Sequence, residues 1–247
     1  MFRHQGKTRT AKHNLQIASV LSFVAGIVNV AGFLSVKQLT TNVTGHFAFF
    51  VDEIFQFNFL KSIVFFLYIF CFLFGAFVSG FILESRVSKI ETNSYIFPIS
   101  IEVLLLFFVA FFGSELKAEY PNMIAYVLLF TMGLQNALVT KISNSIVRTT
   151  HLTGLFTDLG IELSQLFFYK QLEPRASLIS SIKLRLTIIF FFFLGGVFCG
   201  LIYQKIELNV LYIAGFTLIF GLIFDNLKFK VIALNKKLRP NSVVKNL

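Results

Sequence analysis

Apolar positions along this chain gather into long runs, not into the narrow stripes of a half-buried soluble element. Six runs stand out: Leu15–Val36, Ile63–Leu83, Tyr95–Gly113, Met123–Val139, Thr187–Tyr203 and Leu208–Phe224. Each approaches the length a helix needs to cross about 30 Å of hydrocarbon. Two shorter segments, 43–59 and 152–168, are also apolar enough to enter a membrane. They carry Asp52 and Glu53 in the first, and Asp158 and Glu162 in the second. A lipid-facing crossing has no means of hosting such carboxylates.

These interrupting segments are related. "TTNVTGHF" (40–47) recurs in "RTTHLTGLF" (148–156), so that Thr41, Thr44, Gly45 and Phe47 match Thr150, Thr153, Gly154 and Phe156. Upstream, Gly26 and Asn29 match Gly133 and Asn136; downstream, Glu53 and Gln56 match Glu162 and Gln165. Further on, "GAFVSG" (75–80) resembles "GGVFCG" (195–200) after a short insertion. Weak similarities that keep one order indicate two homologous halves, 15–113 and 122–226. A basic arm (1–14) precedes them and a basic tail (227–247) follows.

Each half reads as span, motif segment, span, span. If the motif segments cross, there are eight spans and parallel halves; if they dip and return, there are six spans and inverted halves. Basic residues favour the second, because cytoplasmic loops accumulate Lys and Arg. Six spans leave only Lys37, Lys61, Lys117 and Lys205 outside, with Arg86, Lys89, Lys141 and Arg148 inside. The expectation is an all-α integral membrane protein of six transmembrane helices in two inverted repeats of three. Each repeat adds a short polar-broken helix, re-entrant or interfacial, and both termini are cytoplasmic.

Composition agrees with this class: 56% of the 247 residues are hydrophobic and 34 are Phe. The net charge of +10 lies in the arm, the loop 170–185 and the tail. Anionic headgroups on the cytoplasmic face are the expected counterions. No recognition motif accompanies the charge, so nucleic acid is not an expected partner. The first run is too long for a signal-peptide core and lacks a cleavage site after it, which favours an uncleaved span. Cys71 and Cys199 both lie within apolar runs, so no disulfide framework is suggested.

"FVAGIVNVAGF", "TTNVTGHF" and "GLQNALVTKISNSIVRTTHLTG" together resemble the YoaK family of bacterial multi-pass membrane proteins, across nearly the whole chain. The resemblance implies a bacterial inner-membrane location and names no substrate. Relatives often carry Asp at the position of Asn29 and T-G-N at Thr44-Gly45-His46. A proton or cation role for that carboxylate does not transfer to this chain.

In inverted-repeat folds, interrupted helices meet near the midplane and expose polar groups to a cavity. T-x-x-T-G offers two hydroxyls and a glycine at a helix start, with Thr44 or Thr153 placed to cap it. The candidate binding residues are Asn29, Thr41, Thr44, Gly45, His46, Gln135, Asn136, Arg148, Thr150, His151, Thr153 and Gly154. Glu53, Gln56, Glu162 and Gln165 form a second, repeat-symmetric polar set. The plainer reading of T-x-x-T-G is a capped junction at the membrane surface. Amides in the spans serve equally as helix–helix glue, and Arg148 equally as a snorkelling base.

Glu102 stands alone in the third run, as a snorkelling or paired group or a proton relay. His46 lies seven residues before Glu53, as His151 does before Asp158, but the histidines do not align in the repeat. A metal centre is therefore not expected, and neither is a cofactor. Gly75/Ser79, Ala76/Gly80, Gly195/Cys199 and Gly196/Gly200 are small residues four apart, which let helices approach closely.

The function expected is transport or channelling of an unidentified small solute through a central site built by the two T-x-x-T-G segments. A membrane-embedded assembly or accessory protein is the alternative. An intramembrane enzyme is the lesser one, since no nucleophile elbow or P-loop is present.

Overall fold

The computed structural model describes residues 1–2, 9–87, 94–169 and 171–237. Lys89, and the bases Arg3, Lys7, Lys170, Arg239 and Lys245 of the arm, loop and tail, lie outside the described residues.

Every regular element among the described residues is a helix, and none is a strand. The order is α1 (Ala11–Val36), α2 (Val43–Phe55), α3 (Phe59–Val87), α4 (Ile96–Glu119), α5 (Pro121–Ile142), α6 (Leu152–Gln165), α7 (Leu172–Ile206) and α8 (Val210–Lys237). Among the described residues, five stretches are long and apolar enough to cross a membrane, the length and composition of a membrane protein's helices. The last of them, Leu172–Leu227, has 56 residues, far more than one crossing needs. It contains the break between α7 and α8, where Glu207 turns to φ 46° and a short 3-10 turn, Glu207–Asn209, follows.

Local chemistry explains several boundaries. Thr10 and His13 form a capping box at the start of α1, and Lys37 ends it in the left-handed conformation at φ 58°. Pro121 opens α5 at a position where its missing N–H costs nothing. α7 begins well before the apolar run at Thr187, because a more polar stretch from Leu172 continues the same helix. α8 likewise continues to Lys237, so the tail expected from residue 227 begins as helix.

The two halves pack by exchange. α1 lies along α7 and α3 lies along α5, in the two most extensive contacts of the molecule. α2 packs on α3 as α6 does on α7, and α4 packs on α5 as α8 does on α1. Exchanging α1–α4 with α5–α8 therefore reproduces the contact pattern. The first helix of each half is seated against the third helix of the other.

Glycines make the two main seams possible. A Cβ on Gly26 would collide with the Phe192 carbonyl oxygen, and one on Gly195 with that of Phe23. In the equivalent seam, Gly133 meets the Phe72 carbonyl and Gly75 meets that of Phe130. Ser79 and Cys199 are buried near these crossings. Gly80 and Gly200, by contrast, face open space, with nothing within 4 Å of a built Cβ. The seam follows one face of each helix, and these two glycines lie off it.

α1 and α5 form the buried centre. α3 and α7 turn phenylalanines outward: Phe66, Phe70, Phe74, Phe77 and Phe81 on one, Phe190 and Phe193 on the other. Such continuous apolar faces suit contact with lipid.

Candidate functional site

After α1 and α5 the chain doubles back along the helix it has just left. Thr40 donates its hydroxyl to the Val28 carbonyl at 3.0 Å, and Thr41 donates to Asn29 Oδ1 at 2.8 Å. In the other half Asn136 Nδ2 donates to Thr150 Oγ1 at 2.5 Å. Asn29 precedes the end of α1 by seven residues, and Asn136 that of α5 by six. At 1.5 Å per residue, α2 and α6 therefore begin roughly 10 Å back along the bundle, not at the helix ends.

Both T-x-x-T-G segments line one cavity of about 940 Å³. Thr41 and Thr44 face it from one half, and Thr150 and Thr153 from the other. Asn29 and Asn136 line it as a pair, as do Phe72 and Phe192, whose carbonyls receive the seam glycines. Gly45, Arg148 and His151, also expected from sequence, line it as well.

The first residues of α2 and α6, Val43 and Leu152, belong to the wall, so both helix N-termini reach the cavity. Orphan N–H groups at such ends favour negative charge. Arg148 is exposed and, among the described residues, forms no ion pair. Among the described residues, no acidic side chain lines the cavity.

Capping falls to another residue than the threonines. Asn42 is the N-cap of α2, and its side chain accepts from Gly45 N at 3.0 Å. α2 begins at Val43, so Thr44 is already inside its first turn and its hydroxyl is left for the cavity. His151 takes the cap position of α6 without making a side-chain cap bond. Its ring lies over Gly154, where a Cβ would collide with it.

Three expected site residues stand apart from the cavity wall. Gly154 belongs to a neighbouring cleft that also holds Asp158, Ser181 and Arg185. His46 is buried against α3, its Nε2 donating to the Leu39 carbonyl at 2.8 Å and its ring set against Phe65 and Tyr68. Burial pushes its imidazole below the ordinary 6.5, partly opposed by that hydrogen bond. Gln135 is fully buried behind the wall, with Nε2 donating to Glu102 Oε1 at 2.9 Å.

The symmetric Glu/Gln set also lies away from the cavity. Gln56 donates to Asp52 Oδ2 at 2.8 Å on an exposed face, and Glu53 is half-buried. Glu162 accepts from Arg185 at 2.8 and 2.9 Å and from Ser181 at 2.6 Å. Burial pushes its carboxyl up, but those hydrogen bonds outweigh burial and hold it below its ordinary value. Asp158 pairs with the same guanidinium at 3.0 Å. Gln165 is half-buried at the end of α6.

Asn42, Thr140 and the two phenylalanines were not singled out by sequence reasoning, although they line the cavity. For Asn42 a signal existed: Asn is a strong N-cap type, and a glycine follows three residues later. Phe72 and Phe192 had none, being two among many. Among the described residues no group of His, Cys, Asp and Glu is arranged to hold a metal.

No curated protein and no solved structure matches the chain. The family described as "Protein of unknown function (DUF1275)" matches residues 17–224, a span that takes in all but the outer ends of the two halves and every wall residue of the cavity. The chain belongs to the DUF1275 family.

Proposed function

We propose that the protein carries a small solute across the bacterial inner membrane, without enzymatic chemistry, by binding it in the cavity shared by the two halves. The observation that carries this reading is the convergence of Thr41, Thr44, Thr150 and Thr153 on one space. A surface cap repeated in two inverted halves would leave these threonines on opposite faces. Packing motifs alone would leave no cavity between them.

Six crossings in two inverted repeats fit this role. α2 and α6 have 13 and 14 residues, and helices of that length span roughly 20 Å, short of the hydrocarbon thickness. Their starts inside the bundle support segments that dip and return, as interrupted helices do in inverted-repeat carriers. The break at Glu207–Asn209 supports separate crossings by α7 and α8. The G-L-Q-N and R-T-T-x-x-T-G stretches that resemble YoaK proteins both run beside this cavity.

The lining selects a solute class. Two helix N-termini and Arg148, with no carboxylate in the wall, favour a small anion over a cation. A cleft of about 590 Å³ shares Asn136 and Thr140 with the cavity and continues to Glu84 and Lys141. That continuation supplies a path toward one end of the molecule, the cytoplasmic end in the six-crossing arrangement.

The test is uptake into liposomes containing the purified protein, with nitrate, formate and phosphate as anions and potassium and choline as cations. Uptake of an anion that falls several-fold in Arg148→Gln is the expected result. Uptake of none, by a protein that remains folded, would overturn the reading and leave the assembly or accessory role.

A further inference from the structure

A fully buried carboxyl stands one layer behind the cavity. Glu102, on α4, is wholly enclosed, and Gln135 on α5 is its hydrogen-bond partner among the described residues. The other carboxyl oxygen, Oε2, is buried and makes no hydrogen bond among the described residues. Gln135 leads onward: its Oε1 lies 3.4 Å from the Thr149 hydroxyl, which lies 3.4 Å from Asn136 Oδ1 as well. Asn136 in turn bonds Thr150, and both line the cavity. A chain of side chains thus connects a buried carboxyl to the cavity wall.

The repeat has no need of this chain. In the first half the equivalent threonine, Thr40, bonds a backbone carbonyl, that of Val28. Val28 occupies the place of Gln135, so no amide reaches back to a carboxyl there. The fold accommodates the simpler arrangement in one half, and an unpaired buried carboxyl in the other is a burden to stability. A burden of that kind inside a membrane protein marks a functional group.

Among the described residues, no charged group pairs with Glu102. α8 brings Tyr212, its ring tilted against that of Phe107, and Asp225, paired with the Met1 amine. The 3-10 turn brings Glu207, paired with Lys117 of α4 itself. α5 brings Tyr126, set against Tyr68 of α3, and Lys141, paired with Glu84 of α3. Tyr95, just ahead of α4, stacks on Phe2. None of these hydrogen-bonds to Glu102.

We propose that Glu102 is a proton-binding site whose state is transmitted to the cavity through Gln135 and Thr149. When Glu102 is ionised, Gln135 donates its N–H to it, and Gln135 Oε1 accepts from Thr149. When water supplies a proton to the carboxyl, the new O–H donates to Gln135 Oε1 and the amide turns over. Gln135 Nε2 then donates to Thr149, whose own proton turns to Asn136 Oδ1. Loss of the proton to water reverses each step. Protonation therefore decides whether Asn136 Oδ1 is engaged by Thr149 or open to the cavity. The link to solute rests on the transport reading; the proton site and its path do not.

The experiment needs no solute. Infrared difference spectra of the protein in liposomes, titrated with acid, should show one carboxylic-acid band that is lost in Glu102→Gln. With asparagine labelled by nitrogen-15, the Asn136 side-chain signal, assigned through Asn136→Asp, should move with the same midpoint as that band. The movement should vanish in Glu102→Gln and in Gln135→Leu, while thermal melting verifies that both variants fold. If either variant does not fold, Thr149→Val takes its place and should abolish the Asn136 movement while retaining the band. A band that survives Glu102→Gln, or an Asn136 signal unmoved through the titration, would overturn the proposal. Absence of anion uptake in the separate assay would overturn transport and leave this result standing.

Discussion

Thr41 donates its hydroxyl to Asn29 Oδ1 at 2.8 Å, and this bond holds the start of the first motif against α1 well short of the helix end. Its counterpart joins Asn136 to Thr150 at 2.5 Å. Replacing Asn29 or Asn136 with Leu should free the motif and cost about 0.5–1.5 kcal/mol for the lost hydrogen bond. Denaturation in detergent should record that loss for each variant. Unchanged stability in both would mean that the loops are held by other contacts.

The repeat-related Thr44 and Thr153 line the cavity, and among the described residues their hydroxyls make no hydrogen bond. Valine at either position keeps the shape and removes a donor and an acceptor. Stability should change little, because Asn42 caps α2 and His151 stands at the cap position of α6. Anion uptake should fall several-fold in each variant, and the double variant should depart from additivity, since groups sharing one ligand are coupled. Strictly additive uptake effects would place the two threonines on separate functions.

The glycine seams separate close approaches from bystanders. Gly75→Leu and Gly195→Leu should each lose at least the about 1–3 kcal/mol typical of overpacking, because the obstructing atoms are backbone carbonyls. Gly80→Leu and Gly200→Leu should insert and melt nearly as the parent does. Equal losses at all four positions would contradict the seam geometry.

His46 should make stability fall with acid. Its folded-state value lies below the ordinary 6.5 because burial disfavours the imidazolium. Above about pH 6.5 the ring is neutral in both states and its contribution is complete; below it the unfolded chain binds the proton more readily, so stability declines. Melting between about pH 7 and about pH 5 should show a smaller decline in His46→Gln than in the parent. Parallel pH curves for the two proteins would remove His46 as the cause.

Reporter fusions test the membrane arrangement directly. A fusion after Gly113 should be extracytoplasmic and one after Lys89 cytoplasmic, as six crossings with internal termini require. The reverse pattern at both points would support eight crossings and parallel halves.

The apolar runs and the duplicated segments were legible from the chain alone, since hydropathy and repetition are properties of consecutive residues. They yielded the helical membrane class, the candidate threonines and the pairing of Asn29 with Asn136 by kinship. Contact is another matter, because which face of a helix meets which neighbour depends on how all the helices are arranged. Gly75 and Gly80 look alike in a small-residue pattern, yet only Gly75 meets a backbone carbonyl. Glu53 and Glu162 align in the repeat, yet only Glu162 finds an arginine, because Arg185 stands on α7 where α3 offers aromatic rings. Tertiary structure likewise decided that each half's first helix seats against the other half's third. That exchange is what brings two distant T-x-x-T-G segments to one cavity.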